Sequence, residues 1–196
     1  SASASVAFLL GMYLQNVKGF TPQTAGLIMI AQPVVQALLS APAGQLADKT
    51  GAHRSIASFG MGATATALFL FSRMTAQTPI WVVIGGLIIL GVGIAFFAPP
   101  NMSIVMNSVD KKHYGVASAL VTTARQVGGM FSSGISAVVF ATYLGRIAIS
   151  PEIAPQLLVA IKAAFSITCS VCTAGVLVSL AAGKRVSAVH VTEVRQ

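Results

Sequence analysis

Residues 80–106 read IWVVIGGLIILGVGIAFFAPPNMSIVM, a run with no Asp, Glu, Lys, Arg or His. As a helix rising 1.5 Å per residue it would be about 40 Å long, longer than the ~30 Å hydrocarbon core of a bilayer. A barrel strand is about 10 residues long and alternates apolar with polar positions, and this run does neither. Backbone groups in lipid must be satisfied within the segment, which a helix does. The stretch therefore predicts a transmembrane helix.

Working outward with the same ruler gives six apolar segments: 1–14, 25–46, 55–71, 80–106, 116–144 and 157–182, with a polar tail over 183–196. Of the 196 residues 55% are hydrophobic and only 8% charged, against roughly 25% charged in soluble domains. A soluble globule cannot be covered with so few charges, so the predicted class is an all-α integral membrane bundle with the lipid bilayer as its solvent. The connections carry turn and cap residues: 18–22 (KGFTP), 48–51 (DKTG), 75–79 (TAQTP) and 110–113 (DKKH). Pro22 and Pro79 suit the first turn of a helix. The opening Ser1-Ala2-Ser3-Ala4-Ser5 lacks the basic start of a signal peptide, and the chain is expected to begin within a longer protein, part-way along a helix.

The net charge of +8 reads as topology rather than nucleic-acid binding, because cytoplasmic loops collect Lys and Arg. One side gathers seven cations (Lys49, Arg54, Lys111, Lys112, Lys184, Arg185, Arg195) and the other gathers four (Lys18, Arg73, Arg146, Lys162). The C-terminus is expected in the cytoplasm of a multi-pass protein of the cell (inner) membrane. Cys169 and Cys172 lie three apart in an apolar run without an accompanying His or second cysteine pair. They read as two small residues packed on one helix face, and no metal or cofactor is expected.

Arg125 stands nine residues into the fifth segment, about 14 Å deep along a helix. An Arg at that depth costs about 2.5 kcal/mol or more unless it faces a cavity or a partner. With Gln126 it either lines a pathway or bridges to a backbone carbonyl or an acid elsewhere. Gln32 and Gln36, one helical turn apart beside Pro33, and Asn101 after Pro99-Pro100, read either as pathway lining or as interhelical hydrogen bonds. The prolines remove backbone donors and are expected to break or kink their helices. Tyr13, Gln15, Phe96 and Phe97 are weaker pathway candidates. Trp81 and Tyr143 suit interfacial anchors. Two small-residue stripes on the fifth segment, Gly128/Ser132/Ser136 and Gly129/Ser133/Ala137, are expected to pack helices closely. The acids Asp48, Asp110, Glu152 and Glu193 all fall in loops or the tail. No nucleophile–base pair or phosphate loop lies in the spans, so no catalytic residues and no enzyme activity are expected.

The loop over residues 44–54 reads GQLADKTGAHR. Its glycines allow a tight turn, and Asp48 is placed to cap a helix or pair with Arg54. Gly44, Asp48, Lys49, Gly51 and Arg54 in this spacing resemble the signature loop of major facilitator superfamily transporters. The stretches 91–100 (GVGIAFFAPP), 115–120 (GVASAL) and 125–129 (RQVGG) resemble the last helices of the 14-span drug:proton antiporters within that superfamily. Ala52 and His53 stand where the family's loop is usually basic. The resemblance implies the C-terminal six-helix half of a multidrug efflux transporter working by alternating access. It implies an N-terminal half as partner, which would carry the proton-coupling carboxylates, and small amphipathic substrates, cations among them. A metabolite symporter or uniporter of the same superfamily, or a standalone six-helix subunit or dimeric pore, is the alternative.

Overall fold

The computed structural model describes residues 2–144 and 157–174, and every regular element among them is helical. Helix α1 (Ala2–Met12) widens into a π turn over Tyr13–Val17, closed by the Lys18 N–H donating to the Tyr13 carbonyl at 3.1 Å. Gly19 turns the chain at a φ of 70°, a conformation glycine adopts without a Cβ clash. Thr21 then caps α2, its hydroxyl accepting from the Thr24 N–H at 3.3 Å, with Pro22 as the first helical residue. This is the arrangement that a proline lacking an N–H favours.

Helix α2 (Pro22–Thr50) is loosened at Ile30, between Pro22–Met29 and Ala31–Thr50. Pro33 explains the position: the N–H it lacks would have served the Met29 carbonyl four residues earlier. Gly51, at φ 65°, ends α2 in the left-handed conformation common at helix C-termini. Helix α3 (His53–Ser72) follows at once. Pro79 precedes α4 (Ile80–Asn107) as its N-cap rather than lying in its first turn. A 3-10 turn, Lys111–His113, leads into α5 (Tyr114–Leu144). The last described helix is α6 (Leu157–Ala174); residues 175–182 of the sixth predicted segment and the tail 183–196 lie outside the described residues, as does the side chain of Tyr143.

Four of the described helices (α2, α3, α4 and α6) are long and apolar enough to cross a membrane, and Val6–Val17 is a shorter apolar stretch. Helix α5, at 31 residues, is the longest and carries Arg125, Gln126 and the Gly/Ser stripes. The expected break at Pro99-Pro100 is not found: α4 runs through both prolines to Asn107. The two missing N–H groups cost α4 the bonds to the Ala95 and Phe96 carbonyls, and the neighbouring turns hold it in one piece.

Helix α4 sits at the centre, against α3 on one side and α2 on the other. Lipid chains are as apolar as leucine, so helices associate in a membrane through close packing. The glycines of α4 supply it. A Cβ on Gly93 would strike the Thr64 side chain, and one on Gly60 of α3 would lie 2.6 Å from the Gly93 carbonyl oxygen. A Cβ on Gly91 would lie 2.7 Å from the Gln32 carbonyl oxygen of α2, and one on Gly86 would meet the Phe71 ring. The densest burial is at one end, where Leu9, Leu10 and Tyr13 of α1 meet Phe71 of α3, Leu87 of α4 and Phe165 of α6. Phe71 and Phe165 pack with ring centroids 5.4 Å apart. That end is stitched by the Tyr13 hydroxyl donating to the Thr75 carbonyl and Lys18 Nζ donating to the Ala76 carbonyl, each at 2.8 Å.

Gly93→Ala should lower the unfolding midpoint of the full-length protein in detergent, by the equivalent of about 1–3 kcal/mol for an overpacked site. Gly62→Ala on the same pair of helices should be neutral or slightly stabilising, because nothing lies within 4 Å of its Cβ and alanine is the better helix former. Equal losses in the two variants would show that the crossing at Gly93 is not what holds α3 to α4.

Candidate functional site

The five helices α2 to α6 line a partly open cavity of about 540 Å³, within the range of small-molecule sites. Helix α5 contributes Arg125, Gly128, Ser132 and Ile135, and also Phe131. Spacings of three and four place such residues on one helical face. Gln36 comes from α2, Met61 and Thr64 from α3, Ile94 and Phe97 from α4, and Thr168, Val171 and Cys172 from α6.

Most of the wall is apolar, and its polar groups are individually held. Gln32 Nε2 donates to Gln36 Oε1 at 3.0 Å, one turn along α2. The Ser40 hydroxyl donates to the Gln36 carbonyl. The Thr64 and Thr168 hydroxyls donate back to the Gly60 and Ala164 carbonyls of their own helices, each at 2.9 Å. Arg125 is the one fully charged group among the described lining residues.

Of the residues singled out from sequence, Arg125, Gln36, Gly128 and Ser132 come together here, and Gln32 sits behind Gln36. Gln126 and Asn101 are not among the lining residues; Gln126 is exposed on α5 and Asn101 half-buried on α4. Phe97 lines the cavity, whereas Phe96 turns to α3, its ring edge-on to Phe59 with centroids 5.7 Å apart. Of the two α5 stripes, Gly128/Ser132/Ser136 is the inward one, with Ser136 buried and Gly128 and Ser132 half-buried. On the other, a Cβ on Gly129 would meet nothing within 4 Å and Ser133 is exposed; the tightest glycine contacts lie on α3 and α4. Sequence reading also missed Thr64 and Thr168. Both are polar residues inside apolar helices, but back-bonded threonines are common there and only the fold makes these two neighbours of one space.

The stretch 44–54 expected as a loop is mostly helical: residues 44–50 are the last turns of α2, His53 and Arg54 begin α3, and only Gly51 and Ala52 lie between them. Asp48 is about 18 Å along α2 from Gln36. Asp48 does not cap α3, whose N-cap Ala52 has no side-chain bond; it pairs with His53, Oδ1 to Nε2 at 3.0 Å. His53 thus stands, paired, in the place expected for a basic residue. Lys49 and Arg54 are exposed beside it. Gly44 faces Pro99, with its Cβ position 3.6 Å from the Pro99 Cβ, so the start of this stretch touches α4 next to the cavity residues Phe97 and Ala98.

A family model, that of the Major Facilitator Superfamily, matches residues 1–192. The chain belongs to the major facilitator superfamily. This is a family of membrane transporters. Among curated relatives, a tetracycline resistance determinant of Streptomyces rimosus is 35% identical over 142 residues, covering 71% of this chain and 40% of the relative. The riboflavin transporter RibZ of Clostridioides difficile is 26% identical over 90% of this chain and 38% of its own length. The multidrug resistance protein Stp of Mycobacterium tuberculosis is 28% identical over 69% of this chain and 25% of its own length. The chain therefore spans about two fifths of the length of the first two of these superfamily relatives.

Cys172 lines the cavity, while Cys169, one turn earlier, sits with its Sγ 3.9 Å from the Ala65 carbonyl. In full-length protein a small methanethiosulfonate reagent should therefore modify Cys172 in preference, read by peptide mass. Cys172→Ser should remove the labelling of α6 and Cys169→Ser should leave it. The reverse pattern would mean that Cys172 does not face accessible space.

Proposed function

We propose that this chain is the C-terminal six-helix half of a secondary active transporter that exports small amphipathic compounds, drugs among them, in exchange for protons. The observation that carries the reading is the cavity of about 540 Å³ bearing Arg125 among five helices, on a chain of this superfamily. Substrate sites of such transporters lie between two bundles that rock about them. The similarity to a tetracycline resistance determinant and to a multidrug resistance protein supports efflux.

An N-terminal half of the same transporter would be the partner. Only 6% of the most apolar window of α2 is buried, and Leu27, Val34 and Leu38 on it are exposed, as are Leu120, Met130 and Phe131 on α5. Apolar faces beside a charged cavity suit a second bundle better than lipid alone, since lipid offers Arg125 no hydration. Proton-coupling carboxylates would sit in that other half, because here Asp48 lies in the last turn of α2 and Asp110 between α4 and α5. The loop 44–54 would help latch the cytoplasmic side, with the C-terminus inside and the protein in the inner membrane, as the seven-to-four bias of cations supports. The similarity to a riboflavin transporter over 90% of the chain favours, as a second reading, a metabolite carrier using the same cavity.

Reconstituted full-length protein should take up or release an amphipathic dye when a pH gradient is imposed, and collapse of the gradient should stop it. Arg125→Ala should reduce that flux by roughly tenfold, about 1.4 kcal/mol at the transport step, at unchanged membrane abundance. Normal flux in the variant would remove Arg125 from the pathway. Asp48→Asn should lower maximal turnover more than it raises the half-saturating concentration; an equal loss in both would leave the loop a structural role only.

A further inference from the structure

We propose that the cavity selects planar aromatic compounds carrying a single negative charge, with Arg125 holding the anion and Phe97 and Phe131 flanking the ring. This rests on the transporter reading and names the substrate class of its site.

The charge balance of the wall is the first ground. Arg125 supplies a planar guanidinium fork of N–H donors, and no carboxylate is among the described lining residues. Arg125 is exposed; on this half of the wall it repels a cationic ligand and offers an anion a charge-assisted pair. The direction of the neutral hydrogen bonds is the second ground. Gln36 Oε1 is already engaged by Gln32 Nε2, so the Gln36 amide has its NH₂, a double donor, to offer the cavity. The Thr64 and Thr168 hydroxyl protons are spent on the Gly60 and Ala164 carbonyls and do not compete. The strong groups of the site, a guanidinium and an amide NH₂, are therefore both donors, and the matching ligand end is an acceptor such as a carboxylate. The remaining wall supplies the third ground: Phe97, Phe131, Ile94 and Ile135 suit a flat apolar body, with aromatic faces available for offset stacking.

The test compares three probes of one shape and different charge, 2-naphthoate, 2-naphthamide and 2-naphthylmethylammonium. Equilibrium binding and pH-gradient-driven flux would be measured for each on the purified full-length transporter. Wild type should bind naphthoate about tenfold or more tighter than the other two. Arg125→Gln should bring naphthoate down to the naphthamide level while naphthamide binding stays, which also shows that the variant is folded. Arg125→Lys should retain the preference in reduced form. Gln36→Leu should weaken naphthoate and naphthamide, which share an acceptor oxygen, and leave the ammonium probe unchanged. Tightest binding of the ammonium probe, equal binding of all three, or an equal loss of all three in Arg125→Gln would overturn the proposal while flux of any probe keeps the transporter reading. Neither binding nor flux of any probe would overturn both.

Discussion

Helices dissolved in lipid gain little from burying leucine against leucine, so the bundle depends on how closely its backbones can approach. That approach is concentrated where α3 crosses α4. Gly60 and Gly93 leave no room for a Cβ, and Thr64 fits beside them by turning its hydroxyl back onto the Gly60 carbonyl. The polar atom is satisfied within its own helix, so the contact carries no buried unpaired group. The same crossing sets the floor of the cavity, because Thr64 on α3 and Ile94 and Phe97 on α4 stand within a turn of it. Packing and site are thus consequences of one narrow contact. Gly91 repeats the device toward α2, bringing the Gln32–Gln36 pair up against α4.

What the sequence made legible follows from physics that acts locally. The apolar stretch at 80–106 announces α4 because a helix is the one way such a run satisfies its backbone in lipid. Thr21-Pro22 and Gly51 announce helix ends because capping and positive φ are properties of single residues. The loop expected over 44–54 shrinks to Gly51 and Ala52, because the residues before Gly51 carry on the α2 hydrogen bonding. Arg125 and Gln36 stood out because charge and amide groups are costly at that depth. The partner of a small residue was not legible. Periodicity marks the two Gly/Ser stripes of α5 alike, yet Ser136 of one is buried and Ser133 of the other exposed, since a stripe says nothing about which neighbour reaches it. Thr64 and Thr168, about a hundred residues apart on helices α3 and α6, become wall residues of one cavity only through the tertiary fold.

Prolines illustrate the same division between local and distant causes. Pro33 loosens α2 at Ile30, one turn before it, as its missing donor requires. Pro99 and Pro100 remove two donors in succession, and yet α4 passes through them intact. The tight contacts just before them, at Gly91 and Gly93, hold the helix on both sides. Pro100 is itself buried. Tertiary packing overrides what the residues alone would do, and it does so beside the cavity, where Pro99 and Pro100 offer no N–H to the Ala95 and Phe96 carbonyls.

The two stitches at the closed end join residues far apart in the chain: Tyr13 to Thr75 across 62 positions and Lys18 to Ala76 across 58. Membrane proteins enter the bilayer segment by segment as they are made. The turn between α1 and α2 therefore reaches the interface long before the carbonyls that will receive its hydroxyl and ammonium groups have been synthesised. Until the turn ahead of α4 emerges, the Tyr13 and Lys18 donors have only water or headgroups to bind. The hairpin of α1 and α2 can gain these two bonds only once residues 75–76 have followed it. The order in which the backbone is delivered thus sets when this end of the bundle can be tied together.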